Sequence, residues 1–294
     1  MNGAARAGNT IPVLIVLLAL LIVWYAAAIV MNAPWQAQLY GRAGATDVPL
    51  IQYLSDVWGQ DKPILPAPHQ VVLEVWNNTV GQALTSKRSF VFHAWITLSA
   101  TLLGFVFGTL LGLGLATLII HNEAMNRSLM PWIIASQTIP ILAIAPMLVV
   151  GLNAVGISGL LPKALISMYL SFFPVVVGMV KGLRSPDQMQ LDLMRTYNAS
   201  RLEVFTKLRW PAAMPFLFAS MKVGIAIALI GALVAELTNT ATGGLGVRLL
   251  TGSYNGQTTT IWGVLLVAAT LAAILVIAVS LAERLVLRRM GQAA

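Results

Sequence analysis

Residues 11–31, 94–120, 130–151, 160–180, 212–237 and 261–282 are six apolar stretches in one chain of 294 residues. Each is long enough to cross a bilayer, since roughly 20 apolar residues wound as a helix span about 30 Å of hydrocarbon. A helix pairs its backbone groups internally, which a segment in lipid must do. The expected fold class is therefore an all-α membrane protein with about six transmembrane helices. The balance of residues agrees, with 58% hydrophobic and only 10% charged. The net charge of +8 does not point to nucleic acid, because Lys and Arg sit beside the ends of apolar runs and not in one basic patch. There is no cysteine, so neither a disulfide frame nor a thiolate metal site is available.

The first stretch has the look of a signal peptide, with Arg6, an apolar run and then Ala26-Ala27-Ala28. The run is longer than a signal core, and Pro12 falls in the first turn, where a helix tolerates it. It reads as an uncleaved first span. Pro140 and Pro146 break up the third stretch and Pro174 lies inside the fourth. Prolines are tolerated at such depth where neighbouring helices satisfy the freed carbonyls. Three parts are expected: an N-terminal span over 1–31, an intervening segment over 32–92, and a core of five spans over 93–290.

Pro34, Pro49, Pro63, Pro66 and Pro68 make the first half of the intervening segment loop. From His69 to Leu84, Val71, Val72, Val75, Trp76, Val80 and Leu84 give one apolar helical face. That face suits a helix lying on the membrane surface or against the bundle. Gly104, Gly108 and Gly112, at four-residue spacing, allow close helix packing within the chain or across a dimer. With the N-terminus in the cytoplasm, eleven basic residues fall on the cytoplasmic side: Arg6, Arg127 and the clusters over 181–209 and 284–289. Six fall on the other side and Lys222 lies within a span. Both termini and residues 181–210 are thus expected in the cytoplasm.

Those 30 residues, from Lys181 to Trp210, interrupt the apolar pattern with far more sequence than a link between spans needs. Ser185-Pro186-Asp187-Gln188 has the order of a helix start with a capping box. That helix runs to about Tyr197, and Asn198 is suited to a left-handed stop. Ser200 to Glu203 is a second capping box, opening a helix that reaches about Arg209 before Pro211. Leu191, Met194 and Tyr197 form an apolar stripe on the first helix, and Leu202, Phe205 and Leu208 form one on the second. Arg195, Arg201, Lys207 and Arg209 surround them. The stripes suit either a docking interface or packing back onto the chain's own spans.

This hairpin resembles the cytoplasmic loop of the membrane subunits of binding-protein-dependent ATP-binding cassette importers. Their pattern is E-A-A, three residues, G, nine residues, I-x-L-P. The same spacing runs here from Asp192 through Asn198 and Leu208 to Pro211, with Leu193 and Met194 in place of the two alanines and Trp210 in place of Leu. The surrounding N-A-S-R-L-E-V-F and W-P-A-A-M-P resemble the nitrate, sulfonate and taurine branch. So do Leu65-Pro66-Ala67-Pro68 and Gly243-Gly244-Leu245-Gly246. The resemblance covers roughly 65–290. It implies a type I importer permease that lines the path for a small solute, in a bacterial cytoplasmic membrane. It further implies pairing with a second permease, identical or related, and with two cytoplasmic ATPase subunits and an external solute-binding protein. Asp192, Arg195, Asn198, Ser200, Arg201, Leu202, Glu203, Phe205 and Pro211 would then couple to the ATPase. ATP and Mg would bind the ATPase subunits and not this chain. The sequence holds no G-x-x-x-x-G-K-[ST] phosphate loop.

Lys222 and Glu236 are charges within the fifth span, and such charges are functional candidates. Fourteen residues apart, or about 21 Å along a helix, they cannot pair with each other. Lys222 either extends toward the cytoplasm or serves transport. Glu236, expected at the external end and in water, is with Asn239 a candidate for the path that the fifth span lines in the family. His69, His93 and His121 have no metal-ligand spacing. An autonomous secondary transporter or channel is the alternative, but it calls for mid-membrane coupling carboxylates or two related halves, neither of which is present. An intramembrane enzyme lacks any converging acid–base or nucleophilic set.

Overall fold

A computed structural model describes residues 4–44 and 47–291. The regular structure among the described residues is helical, with no strand. In chain order the helices are α1 (Ala4–Ala43), α2 (Leu50–Trp58), α3 (Pro68–Thr79), α4 (Phe90–His121), α5 (Glu123–Ser136), α6 (Ile141–Ala154), α7 (Leu160–Leu183), α8 (Gln188–Thr196), α9 (Arg201–Glu203), α10 (Trp210–Thr238), α11 (Leu245–Tyr254) and α12 (Thr258–Arg289). A π-helical turn, Val204–Arg209, joins α9 to α10.

Five helices among the described residues are long and apolar enough to cross a membrane: Ile11–Ala43, Phe90–His121, Leu160–Leu183, Arg201–Thr238 and Thr258–Arg289. Each contains one expected span. The third expected span is not one straight helix. It divides into α5 and α6, bent by 96°. Pro140 explains the break, because it has no N–H and drives the preceding residue out of helical backbone. Gln137 and Thr138 close the end of α5 by turn hydrogen bonds to Ile134 and Ala135, and Pro140 caps α6 with extended backbone. Pro174, by contrast, lies within an unbroken α7.

The chain packs as two compact units. One comprises residues up to 91 together with 248–267. Here α1 continues through Pro34 to Ala43, where loop was expected, and α2 adds a further helix. Side chains hold the extension. The Asn32 amide is fully buried, accepts N–H bonds from Ile64 (2.8 Å) and Leu65 (3.2 Å), and donates to the Leu65 carbonyl (2.8 Å). Gln60 donates to Gln36 (2.9 Å), and Tyr40 donates to Asp56 (2.6 Å). Trp24 packs on Trp262 and donates to the Pro66 carbonyl. Helix α3 ends earlier than expected. Of its apolar face Val71 is buried, while Val72 and Trp76 are exposed, as are Val80 and Leu84 beyond its end.

The other unit comprises residues 92–247 and 268 onward. Helix α7 lies at its centre. On one side Gly104, Gly108 and Gly112 of α4 meet Ser167, Ser171 and Val175. A Cβ on Gly108 would stand 2.2 Å from the Ser171 hydroxyl oxygen. The glycine stripe therefore packs within the chain. On the other side Gly178 of α7 faces Ser220 of α10, and Gly231 of α10 faces Ser167. In lipid, where tails are as apolar as leucine, such close backbone approach supplies the packing energy. Val175, Val176, Met179 and Leu183 form a core with Ala116, Ile119, Ala213 and Leu217.

Candidate functional site

The hairpin between α7 and α10 is built by local hydrogen bonds. The first cap is Asp187, two residues later than expected. Its carboxylate accepts the Gln190 N–H (2.8 Å), and Gln190 Oε1 accepts the Asp187 N–H (3.2 Å). Ser185 does not cap α8, because its hydroxyl donates to the Gly182 carbonyl (2.7 Å) at the end of α7. Pro186 thus precedes the cap and is not the first helical residue. The helix stops as expected. Asn198 has φ 53°, and is the one non-glycine residue with positive φ among those described. The Asn198 N–H bonds to the Arg195 carbonyl and the Ala199 N–H to that of Met194, the double pattern that closes a helix at a left-handed residue. Ser200 and Glu203 then form the second expected capping box, and Lys207 pairs with Glu203 at 2.9 Å.

The helix reopens as a π turn, with the Trp210 N–H bonding five residues back to Phe205. Pro211 is the physical cause, since it has no N–H to give and its ring crowds the carbonyl of the preceding turn. The turn seats Phe205 against His121, with ring centres 4.8 Å apart, and against Trp210. Arg209 donates to the Leu183 carbonyl, clamping the two ends of the hairpin together.

Of the two readings of the stripes, each describes one part. Phe205 packs inward, and Leu191 and Met194 are half-buried. The exposed apolar row on α8 is Met189, Leu193 and Tyr197, with Leu202 exposed on α9. Spaced four residues apart, the first three share one helical face. Asp192 and Arg195 form an exposed ion pair of 3.0 Å beside it. Arg201 is exposed.

The charges of the fifth span each have a partner from another helix. Lys222 pairs with Glu283 of α12 at 2.5 Å and does not extend freely to water. Glu236 is fully buried, correcting the expectation that it stands in water. It accepts from the Thr97 hydroxyl (2.9 Å) and the Gly246 N–H (2.8 Å), with the Lys163 ammonium 3.7 Å away. Lys163, itself buried, donates to the Gly243 carbonyl (2.7 Å). The Leu245 N–H bonds to Thr97, and the Gly244 N–H to His93 Nδ1 (2.9 Å). Gly244, at φ 126°, has no room for a side chain, since a Cβ would stand 2.0 Å from the Glu236 carboxyl carbon. This network ties loop 243–246 to α4, α7 and α10. Asn239 ends α10 half-buried. Buried charges in a membrane need such compensation. The sequence reading missed Lys163, Thr97, His93 and Glu283. One signal was available: two intramembrane charges too far apart to pair each call for an opposite charge elsewhere. Lys163 near the start of the fourth apolar run and Glu283 at the end of the sixth supply them. Among the described residues no group of three or more His, Cys, Asp or Glu converges on a metal position.

Comparison with known proteins agrees with this architecture. Residues 71–292 match the family model of the binding-protein-dependent transport system inner membrane component. The chain is 30% identical to the riboflavin transport system permease protein RibX of Chloroflexus aurantiacus, over 76% of this chain and 80% of RibX. It is 26% identical to the putative aliphatic sulfonates transport permease protein SsuC of Bacillus subtilis, over 76% of this chain and 78% of SsuC. A chain of the inward-facing MetNI methionine ABC transporter superposes with a TM-score of 0.59 at 18% identity, covering 67% of this chain and 95% of that one. The multi-helical frame, the double-capped hairpin and the match over 71–292 converge: the chain belongs to the family of binding-protein-dependent transport system inner membrane components, the permeases of ATP-binding cassette importers.

Proposed function

We propose that this permease lines the path of an ATP-driven importer for a small solute and takes its work from separate ATPase subunits through residues 181–210. The observation that carries this is the hairpin. Two capping boxes, a left-handed stop at Asn198 and the Arg209 clamp make it stiff, while Met189, Leu193, Tyr197 and Leu202 remain exposed on it. A stiff elbow with an unsatisfied apolar row suits transmission of a push or pull from a partner. Both termini and the hairpin lie in the cytoplasm on the excess of Lys and Arg there. ATP and Mg belong to the ATPase pair. A second permease, identical or related, completes the path, and a solute-binding protein delivers cargo from outside. RibX and SsuC, named for riboflavin and aliphatic sulfonates, support a small soluble cargo.

The test is affinity purification of the full chain from native membranes, with ATP hydrolysis measured on the eluate and uptake measured after reconstitution. The reading predicts a co-eluting ATPase and ATP-dependent uptake. Ion-gradient-driven flux through the chain alone, with no associated ATPase, would overturn it.

A further inference from the structure

On the other face of α8 the hairpin encloses a second feature. Leu191, Arg195 and Ala199 follow at four-residue spacing, opposite Met189, Leu193 and Tyr197. They line a cleft of about 480 Å³ that is completed by the end of α4 and the start of the helix beyond Ser200. Arg195, Arg201, Arg209 and His121 all line it, and no carboxylate does. Of these cations Arg195 is paired with Asp192 at 3.0 Å and Arg209 donates to the Leu183 carbonyl, while Glu203 is held by Lys207. Arg201 has no ion-pair partner among the described residues. His121 Nδ1 is bound to the Thr117 carbonyl at 2.8 Å, which leaves Nε2 as the polar atom of the ring still available.

The level of the cleft narrows the choice of ligand. His121 is the last residue of the membrane-length helix α4, and Trp210-Pro211 begins the apolar part of the next. Tryptophan marks the membrane–water boundary. Basic pockets at the cytoplasmic ends of spans suit anionic headgroups, and arginine forks match phosphate oxygens in pairs. Ile120 and Phe205 supply an apolar wall where a headgroup gives way to its acyl chains.

We infer that this cleft binds a phosphate oxyanion, supplied by an anionic phospholipid headgroup of the surrounding leaflet. The cleft lies on the face of α8 opposite Met189, Leu193 and Tyr197, so the lipid occupies the back of the elbow through Arg195 and Arg201, two residues that the family resemblance had assigned to coupling, while the ATPase takes the front. Bound there, it bridges α4 to the hairpin and holds the elbow against the membrane surface.

Native mass spectrometry of the purified full chain in neutral detergent tests this, with phosphatidylglycerol or phosphatidylcholine added in parallel. The wild type retains phosphatidylglycerol in preference to phosphatidylcholine. Arg195→Gln and Arg201→Gln each weaken that retention by about fivefold, while Arg201→Lys, which keeps the charge and loses the fork, weakens it less. Arg288→Gln with Arg289→Gln removes two charges at the end of α12 and leaves retention unchanged. Equal retention of the two lipids, or an equal loss in the α12 control, would overturn the site. Displacement of the lipid by inorganic phosphate, with phosphate alone protecting the fold to the same degree, would assign the cleft to a soluble anion and overturn the lipid. Size-exclusion profiles and melting of each variant separate lost binding from lost fold.

Discussion

Replacing Glu236 by Gln leaves the buried Lys163 ammonium with the Gly243 carbonyl and no opposite charge. Removing one member of a buried ion pair costs about 3–5 kcal/mol. Here the lower end is expected, about 3 kcal/mol, because a Gln side chain still offers an acceptor to Gly246 or Thr97. At about 2–4 °C per kcal/mol for a chain of this size, melting falls by roughly 6–12 °C. Adding Lys163→Met removes the stranded charge, so the double variant regains about 2 kcal/mol relative to additive losses. The assay is thermal unfolding in detergent, followed by loss of the monodisperse peak, for wild type, both single variants and the double. Additive single effects would refute the pair as the tie between loop 243–246 and the three helices. A Glu236→Gln variant that melts with the wild type would refute it more simply.

Three further outcomes follow from individual positions. Asn198→Gly retains wild-type melting and transport, whereas Asn198→Val, forced to φ near 53°, loses about 1–2 kcal/mol of hairpin stability; faster proteolysis between α8 and α9 in the Val variant alone reports it. Gly108→Leu places a side chain where Ser171 lies 2.2 Å away, so the chain should fail to yield a monodisperse peak, while Gly114→Leu, with nothing within 4 Å, expresses normally. Lys222→Met leaves Glu283 unpaired and lowers melting, and Glu283→Gln added to it restores most of the loss; no recovery in the double variant would show that the 2.5 Å pair contributes nothing.

What the sequence made legible was whatever rests on local chemistry. The apolar runs located the spans, because length and hydropathy alone decide what a helix in lipid can be. Asn198 and the Ser200–Glu203 box were legible because a left-handed stop and a cap are settled within five residues. The Ser185 cap failed because two nearby oxygens compete for one helix start. The Gly182 carbonyl, three residues back, took the serine and left Asp187 to cap. Helix α1 outran Pro34 because Gln36 and Asn32 are anchored by Gln60 and Ile64, 24 and 32 positions further on, which no local rule can foresee. The break at Pro140 was signalled by the proline itself, yet its consequence, two half-length helices at 96°, depends on packing. The partners of Lys222 and Glu236 lie on other helices, so periodicity within the fifth span could not name them. The stripe Leu191, Met194 and Tyr197 shares only Tyr197 with the exposed row Met189, Leu193 and Tyr197, because both faces of α8 carry apolar side chains and tertiary packing decides which one is covered.

Association with the ATPase is the most direct measure of the central claim, that the front of the elbow at 181–210 is where work enters. Met189→Glu with Leu193→Glu changes two exposed side chains and no helix cap. The expected result is an inserted, monodisperse permease with wild-type melting that no longer retains its ATPase and no longer drives uptake. Full retention and full uptake in this variant would contradict the account.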